Sequence, residues 1–166
     1  FEQWARACKG ARMPRWGVLG IADIASCFEY MSMMRVEVRS EGARFFIMGH
    51  GRKLEEMHGR SIAGRYLDEA LPDSIRDRVL DVYEKAAELA APVYTIARST
   101  DARGREVWHE RLILPFGEGR VSHVFAMLEP YSQNGSIERE RMLVNAAPPA
   151  YDVRVRIDSV GYQPQR

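Results

Sequence analysis

A chain of 166 residues can bury one hydrophobic core with appendages and does not require two. It is 46% hydrophobic and 28% charged, the balance of a globular domain, and 24 Lys and Arg against 23 Asp and Glu leave a net charge of +1. That balance lacks the basic surplus of a nucleic-acid binder, no apolar run nears the ~20 residues that cross a bilayer, and Cys8 and Cys27 are too few for a disulfide framework or a zinc site. The two thiols read as free and buried in a reducing, cytoplasmic setting. Because the chain starts at Phe1 and not at Met, its beginning says nothing about a leader.

Taken in order, residues 1–11 place Phe1, Trp4, Ala5 and Cys8 at helical spacing, and Gly10 ends that helix. Residues 13–26 carry Pro14, Gly17 and Gly20 without a period, and read as a connection with one helical turn around Ile21–Ile24. From Phe28 the period becomes two. Met34, Val36 and Val38 alternate with Arg35, Glu37 and Arg39, and residues 43–48 return after a turn at Ser40, Glu41 and Gly42, which makes a hairpin ended by Gly49. A short helix follows around residues 52–57, closed by Gly59, and then a Gly64 break and the segment 66–71. Asp73–Leu89 is the clearest helix, with Ile75, Val79, Val82, Tyr83 and Ala86 on one face.

Three strands complete the core: residues 93–99, 106–115 and 121–128, joined by turns at Asp101 to Gly104 and at Gly117 to Gly119, with Pro130 as the expected stop. Two strands, short helices, a long helix and a three-strand meander describe an α+β domain with one five-stranded antiparallel sheet and helices on one face.

Four blocks then carry a resemblance. They are Phe45-Phe46-Ile47-Met48-Gly49, Met57-His58-Gly59-Arg60, the run from Gly64 to Pro72, and Glu110-Arg111-Leu112-Ile113-Leu114-Pro115 with a Gly turn and an apolar strand behind it. In order and spacing, the segment 1–129 resembles the bacterial PAS subfamily with an N-terminal helix and a single PAS core. The resemblance implies three parts: residues 1–27 as helix and connection, 28–130 as the PAS-like core, and 131–166 as a C-terminal extension. It also implies a sensory or regulatory role in signalling, through a small ligand or a protein partner, with no cofactor identity attached.

The chemistry-bearing residues have bland readings beside sharp ones. His109 and His123 lie on neighbouring strands and could share a pocket or an iron, but a metal needs more ligands than two histidines, so no metal site is expected. His58, before Gly59, suits a helix C-terminus as a cationic ring, and His50 is expected to be exposed. Glu110 shares a face with Glu106 and Trp108 and is expected to pair with an Arg and not to act as a general acid. No phosphate loop, nucleophile elbow or helical zinc motif is present, so no catalytic residue is assigned. The aromatic and Met set supplies the candidate ligand pocket: Tyr83, Trp108, His109, His123, Phe125 and Met127.

The extension holds a short helical reading at residues 136–144, the breaker Pro148-Pro149, and a strand pattern in Tyr151, Val153, Val155 and Ile157 that needs a sheet edge, its own or a partner's. No effector domain is expected beyond it. The stripe Phe1, Trp4 and Cys8 is expected to join two subunits of a homodimer on the outer sheet face, near Val124 and Leu128; the alternative is that the helix covers its own sheet in a monomer. The competing function is a small curved-sheet pocket enzyme resembling nuclear-transport-factor-like isomerases or hydrolases, which the hairpin ahead of the helices disfavours.

Overall fold

The computed structural model describes residues 1–40, 42–101, 103–132, 137–140, 142–143 and 148–157. The helices are α1 (Glu2–Cys8), α2 (Ile21–Ile24), α3 (Arg52–His58), α4 (Leu67–Ala70) and α5 (Asp73–Leu89), with a 3-10 turn at Phe28–Tyr30. The strands are β1 (Met31–Arg39), β2 (Gly42–His50), β3 (Val93–Thr100), β4 (Glu106–Glu118), β5 (Arg120–Tyr131) and β6 (Ala150–Arg156). All pairings are antiparallel, in the order β2-β1-β5-β4-β3-β6.

The α+β class and the element order stand as expected, with one correction: the sheet has six strands, not five. The sixth is the tail strand, which pairs with the chain's own β3 and so covers an edge that would otherwise be open. Pro130 does not end β5, which runs on to Tyr131; a proline removes one ladder bond, and near a strand end that loss is tolerated. Of the helix expected at residues 136–144, Ser136, Arg141 and Val144 lie outside the described residues, and Glu140, Met142 and Leu143 form turns.

Register assigns the two faces. Ser32, Met34, Phe45, Ile47, Thr95, Ala97, His109, Arg111, Val124 and Leu128 fall on the inner face, toward α3, α4 and α5. Val124 and Leu128, expected on the outer face, therefore point inward. The outer face carries Met33, Trp108, Leu114, Phe116, His123, Phe125 and Met127.

That outer face is covered by the N-terminal segment. Trp4 is 1% exposed, and its indole N–H donates to the Pro115 carbonyl at 2.7 Å. Trp16 stacks on His123 with ring centroids 4.1 Å apart and meets Phe125 and Phe116 edge-on at 5.2 and 5.7 Å. The Gly117 N–H donates to the Pro14 carbonyl at 2.9 Å, so the connection is fastened by backbone as well as by rings.

Two glycines permit close backbone approach. A Cβ on Gly51 would stand 2.0 Å from the Phe28 carbonyl oxygen, and one on Gly117 2.0 Å from that of Arg120. Trp4→Ala removes a buried indole and leaves a cavity over β4, so it should lower unfolding free energy by about 3–5 kcal/mol in urea titrations. Gly51→Ala forces the Phe28 backbone aside and should cost on the order of 1–3 kcal/mol in the same measurement.

Candidate functional site

The inner sheet face and the three helices opposite enclose two adjoining cavities, of ≈ 30 and ≈ 40 Å³. Ile75 and Val79 of α5, Arg111 of β4, Leu128 of β5 and Leu143 of the tail are walls of both. The smaller adds Ser99, His109 and Tyr151, and the larger adds Ser32, His58 and Tyr83. Outside them a groove of ≈ 300 Å³ runs between His58, Arg60 and Pro72, and Leu143 is part of its wall as well. Leu143, together with His58 and Leu71, thus forms the partition between the groove and the larger cavity. Its own N–H donates to the Met57 carbonyl at 3.0 Å, which holds it there.

Tyr151 closes the other end. Its hydroxyl donates to the Arg78 carbonyl on α5 at 3.1 Å and lies 3.4 Å from Arg111 Nη1, which donates to it. Arg154, on the same strand, pairs with Asp81 at 2.6 Å. Asp101 secures the tail from the β3–β4 turn. Burial acts to raise its carboxyl pKa, but hydrogen bonds from Arg105, the Arg103 N–H and the Glu138 N–H outweigh this and hold it at about 2.

The polar groups inside are few and strongly biased. His109 is 7% exposed and shares a hydrogen bond with the Ser99 hydroxyl through Nε2; burial, with the Arg111 charge beside it, takes its pKa down to about 4. Burial, with His50 and Arg60 nearby, takes His58 down to about 4 as well. His58 is therefore neutral near pH 7 and not the cationic helix cap expected of it. Tyr83 is held in its phenol form by burial, against the lowering influence of Arg111. His50 is not exposed as expected but half-buried: its Nε2 accepts from the Ile62 N–H at 3.0 Å, which leaves the proton on Nδ1 facing the Gly51 carbonyl.

Of the six residues expected to line one pocket, only Tyr83 and His109 do so. Trp108, His123, Phe125 and Met127 lie on the outer face, because residues an odd number of positions apart along a strand point to opposite sides. His109 and His123 are thereby on opposite faces and cannot share an iron. Among the described residues no three His, Cys, Asp or Glu side chains converge as metal ligands. Trp108 stacks on Tyr131 at 6.3 Å, and Glu110 is exposed. Trp4 and Cys8 are buried against the chain's own sheet, with Phe1 half-exposed beside Trp4 at 6.1 Å; burial raises the Cys8 thiol to about 11. Arg111, Ser99, His58 and the tail residues Leu143 and Tyr151 were missing from the expected lining. The one signal for Arg111 was its strand parity with His109.

The depressed imidazoles have a consequence for stability. In the unfolded chain both titrate near 6.5, whereas folded they stay neutral to about 4, so the unfolded state binds more protons between those values. Stability is then full above pH 6.5 and falls on acidification, by about 2 kcal/mol per imidazole at pH 5. Urea midpoints measured from pH 7.5 to 5 should fall accordingly, and His109→Gln should flatten part of the slope.

Comparison with known proteins bears on this arrangement. A family model described as PAS fold matches residues 49–133, just over half the chain. No curated protein sequence matches significantly. Solved structures similar to the chain include a light-oxygen-voltage domain described with a flavin analogue, at 10% identity and a TM-score of 0.49, covering 69% of this chain and 85% of that one. A PAS domain from Colwellia psychrerythraea follows at 15% identity and a TM-score of 0.46, covering 69% and 98%. An RNA-binding light-oxygen-voltage receptor is similar at 17% identity and a TM-score of 0.43, covering 70% of this chain and 35% of the receptor.

Proposed function

The chain belongs to the PAS family, and from that premise we propose that it is a non-catalytic sensory or regulatory domain of bacterial cytoplasmic signalling that binds a small ligand in the cavity under Leu143. The observation that carries the reading is the pair of cavities, apolar for most of their lining and given direction by a few polar groups, in which one tail leucine is a wall of both. A ligand that fills this space competes with Leu143, so occupancy and the position of the tail are linked. Linkage of that kind turns binding into a signal, because a ligand shifts an equilibrium only by its preference for one arrangement.

The chemistry of the cavity supports a binding role over a catalytic one. The Ser99–His109 contact superficially joins a nucleophile to a base, but an imidazole whose pKa is about 4 is a weak base at neutral pH. Among the described residues no carboxylate is hydrogen-bonded to that ring to orient it. Among those residues, too, no helix is long and apolar enough to cross a membrane. The net charge of +1 favours a small molecule or a protein partner over nucleic acid.

The homodimer remains part of this proposal in a narrower form. Trp4 serves as the buried anchor of α1, and half-exposed Phe1 with exposed Val18 and Ile21 offers the apolar surface for a second copy. Native mass spectrometry of gently purified protein addresses both points. The expected result is one retained small molecule per chain, lost on acid unfolding, and a dimeric mass confirmed by light scattering at micromolar concentration. A bare chain whose melting temperature no added ligand shifts would remove the ligand reading, and a monomeric mass would remove the dimer.

A further inference from the structure

The side chain of Arg111 is out of keeping with its surroundings. It projects from β4 into the space between sheet and helices and is a wall of both cavities. Its Nε is sealed from solvent and has no hydrogen-bond partner among the described residues. Its Nη1 donates to the Tyr151 hydroxyl at 3.4 Å, and its guanidinium carbon stands 5.7 Å from the ring centre of Tyr83. None of the ion pairs among the described residues involves it. Other arginines near the sheet are satisfied differently: Arg44 also has a sealed Nε, but its Nη2 holds Asp68 and Glu69 at 2.7 and 2.8 Å. Arg139, the third with such an Nε, lines neither cavity.

Arg111 as a whole is half-buried, with its Nε sealed, and a cation partly withdrawn from water with no anion beside it is under-compensated. Its planar fork matches a carboxylate, and the resulting charge-assisted pair is stronger than a neutral hydrogen bond. The remaining walls, Ile75, Val79, Leu128 and Leu143, offer an alkyl chain a dry surface. Cavities of ≈ 30 and ≈ 40 Å³ each have space for about two or three water-sized groups, so the pair suits a ligand of a few heavy atoms. Ser99 and Tyr151 supply hydroxyls beside the cation in the smaller one.

We propose that this cavity binds a short-chain monocarboxylate, of the size of propionate or butyrate, with its carboxylate on Arg111 and its alkyl chain against Ile75, Val79 and Leu128. This rests on the small-ligand reading above and specifies the chemical class of ligand.

Isothermal titration calorimetry on the intact chain tests it, with propionate and butyrate against propionamide and 1-butanol. The acids should bind one per chain, and their neutral counterparts roughly tenfold more weakly or worse, since a lost hydrogen bond to a charge is of that order. Arg111→Gln should weaken the acids by a similar factor, whereas Trp108→Ala, on the opposite sheet face, should leave them unchanged. The acid-to-amide comparison needs no variant, so a failure of Arg111→Gln to fold does not protect the inference. Equal binding of acid and amide would overturn it and leave the small-ligand reading standing. So would acids bound equally well by Arg111→Gln. Absence of binding by either acid at millimolar concentration would overturn it too, and native mass spectrometry then decides separately whether a different ligand is retained.

Discussion

In the second half of β4 the chain buries Ile113, Leu114, Pro115 and Phe116 one after another, and the architecture follows from that run. Successive strand residues point to opposite sides, so a continuously buried stretch means that the sheet is apolar on both faces and must be covered twice. The helices α3, α4 and α5 cover one face. The other needs the N-terminal segment, whose Trp4 and Trp16 lie over Pro115, Phe116, His123 and Phe125. A seven-residue helix is too short to persist alone, and its burial against the sheet is what stabilises it.

The same double cover explains where function can reside. The outer layer is filled by large rings in edge and stacked contact, and the Trp4 indole satisfies a strand carbonyl. Between the inner face and the helices the filling is incomplete, and there the chain places imidazoles, a phenol and a guanidinium in an apolar space. Burial disfavours the charged form of the imidazoles and of the phenol. The imidazoles and the phenol respond by staying neutral. Arg111 stands among them with no carboxylate paired to it among the described residues and a phenol hydroxyl, that of Tyr151, on its Nη1.

Legibility from sequence tracked periodicity. Asp73–Leu89 was readable to the residue because Pro72 precedes it and its buried face repeats at helical spacing. Gly59 ends α3 with a φ of 68°, as a glycine after a helix should. Of the cavity lining only Tyr83 and His109 were readable, and the reason is physical. In Ile113 to Phe116 and in Val124 to Ala126 both faces are buried, so alternation no longer marks which side a residue takes, and Phe125 was assigned to the wrong layer; Trp108 lies where alternation holds, and its parity with Glu106 and Glu110 already placed it opposite His109. Trp16 lies in an aperiodic connection and gave no signal. Arg111 was hard to read for a different reason: its parity with His109 pointed inward, but a charged residue within a strand reads as solvent-facing unless its neighbour across the ladder is known. The partner of β6 was equally out of reach, because a strand pattern specifies that an edge is needed but not which one.

The tail is the element in which these threads meet. β6 occupies the free edge of β3, and its Tyr151 and Arg154 reach back to α5 through the Arg78 carbonyl and Asp81. Leu143 hydrogen-bonds to the last turn of α3 and intrudes on the cavity, while Glu138 is tied to Asp101 at the β3–β4 turn. One of these attachments, Arg154–Asp81, is a half-exposed ion pair worth little on its own, and the others are hydrogen bonds. The core beneath is much more strongly held, through Met57, Val82, Ile113 and Val124, all almost fully buried. Local opening is cheapest where apolar contacts are fewest. In the tail that describes β6, which is mostly exposed, and not the 142–143 segment, whose Met142 and Leu143 are 1% and 8% exposed and belong to the core, so that any group displacing Leu143 must replace its apolar contact.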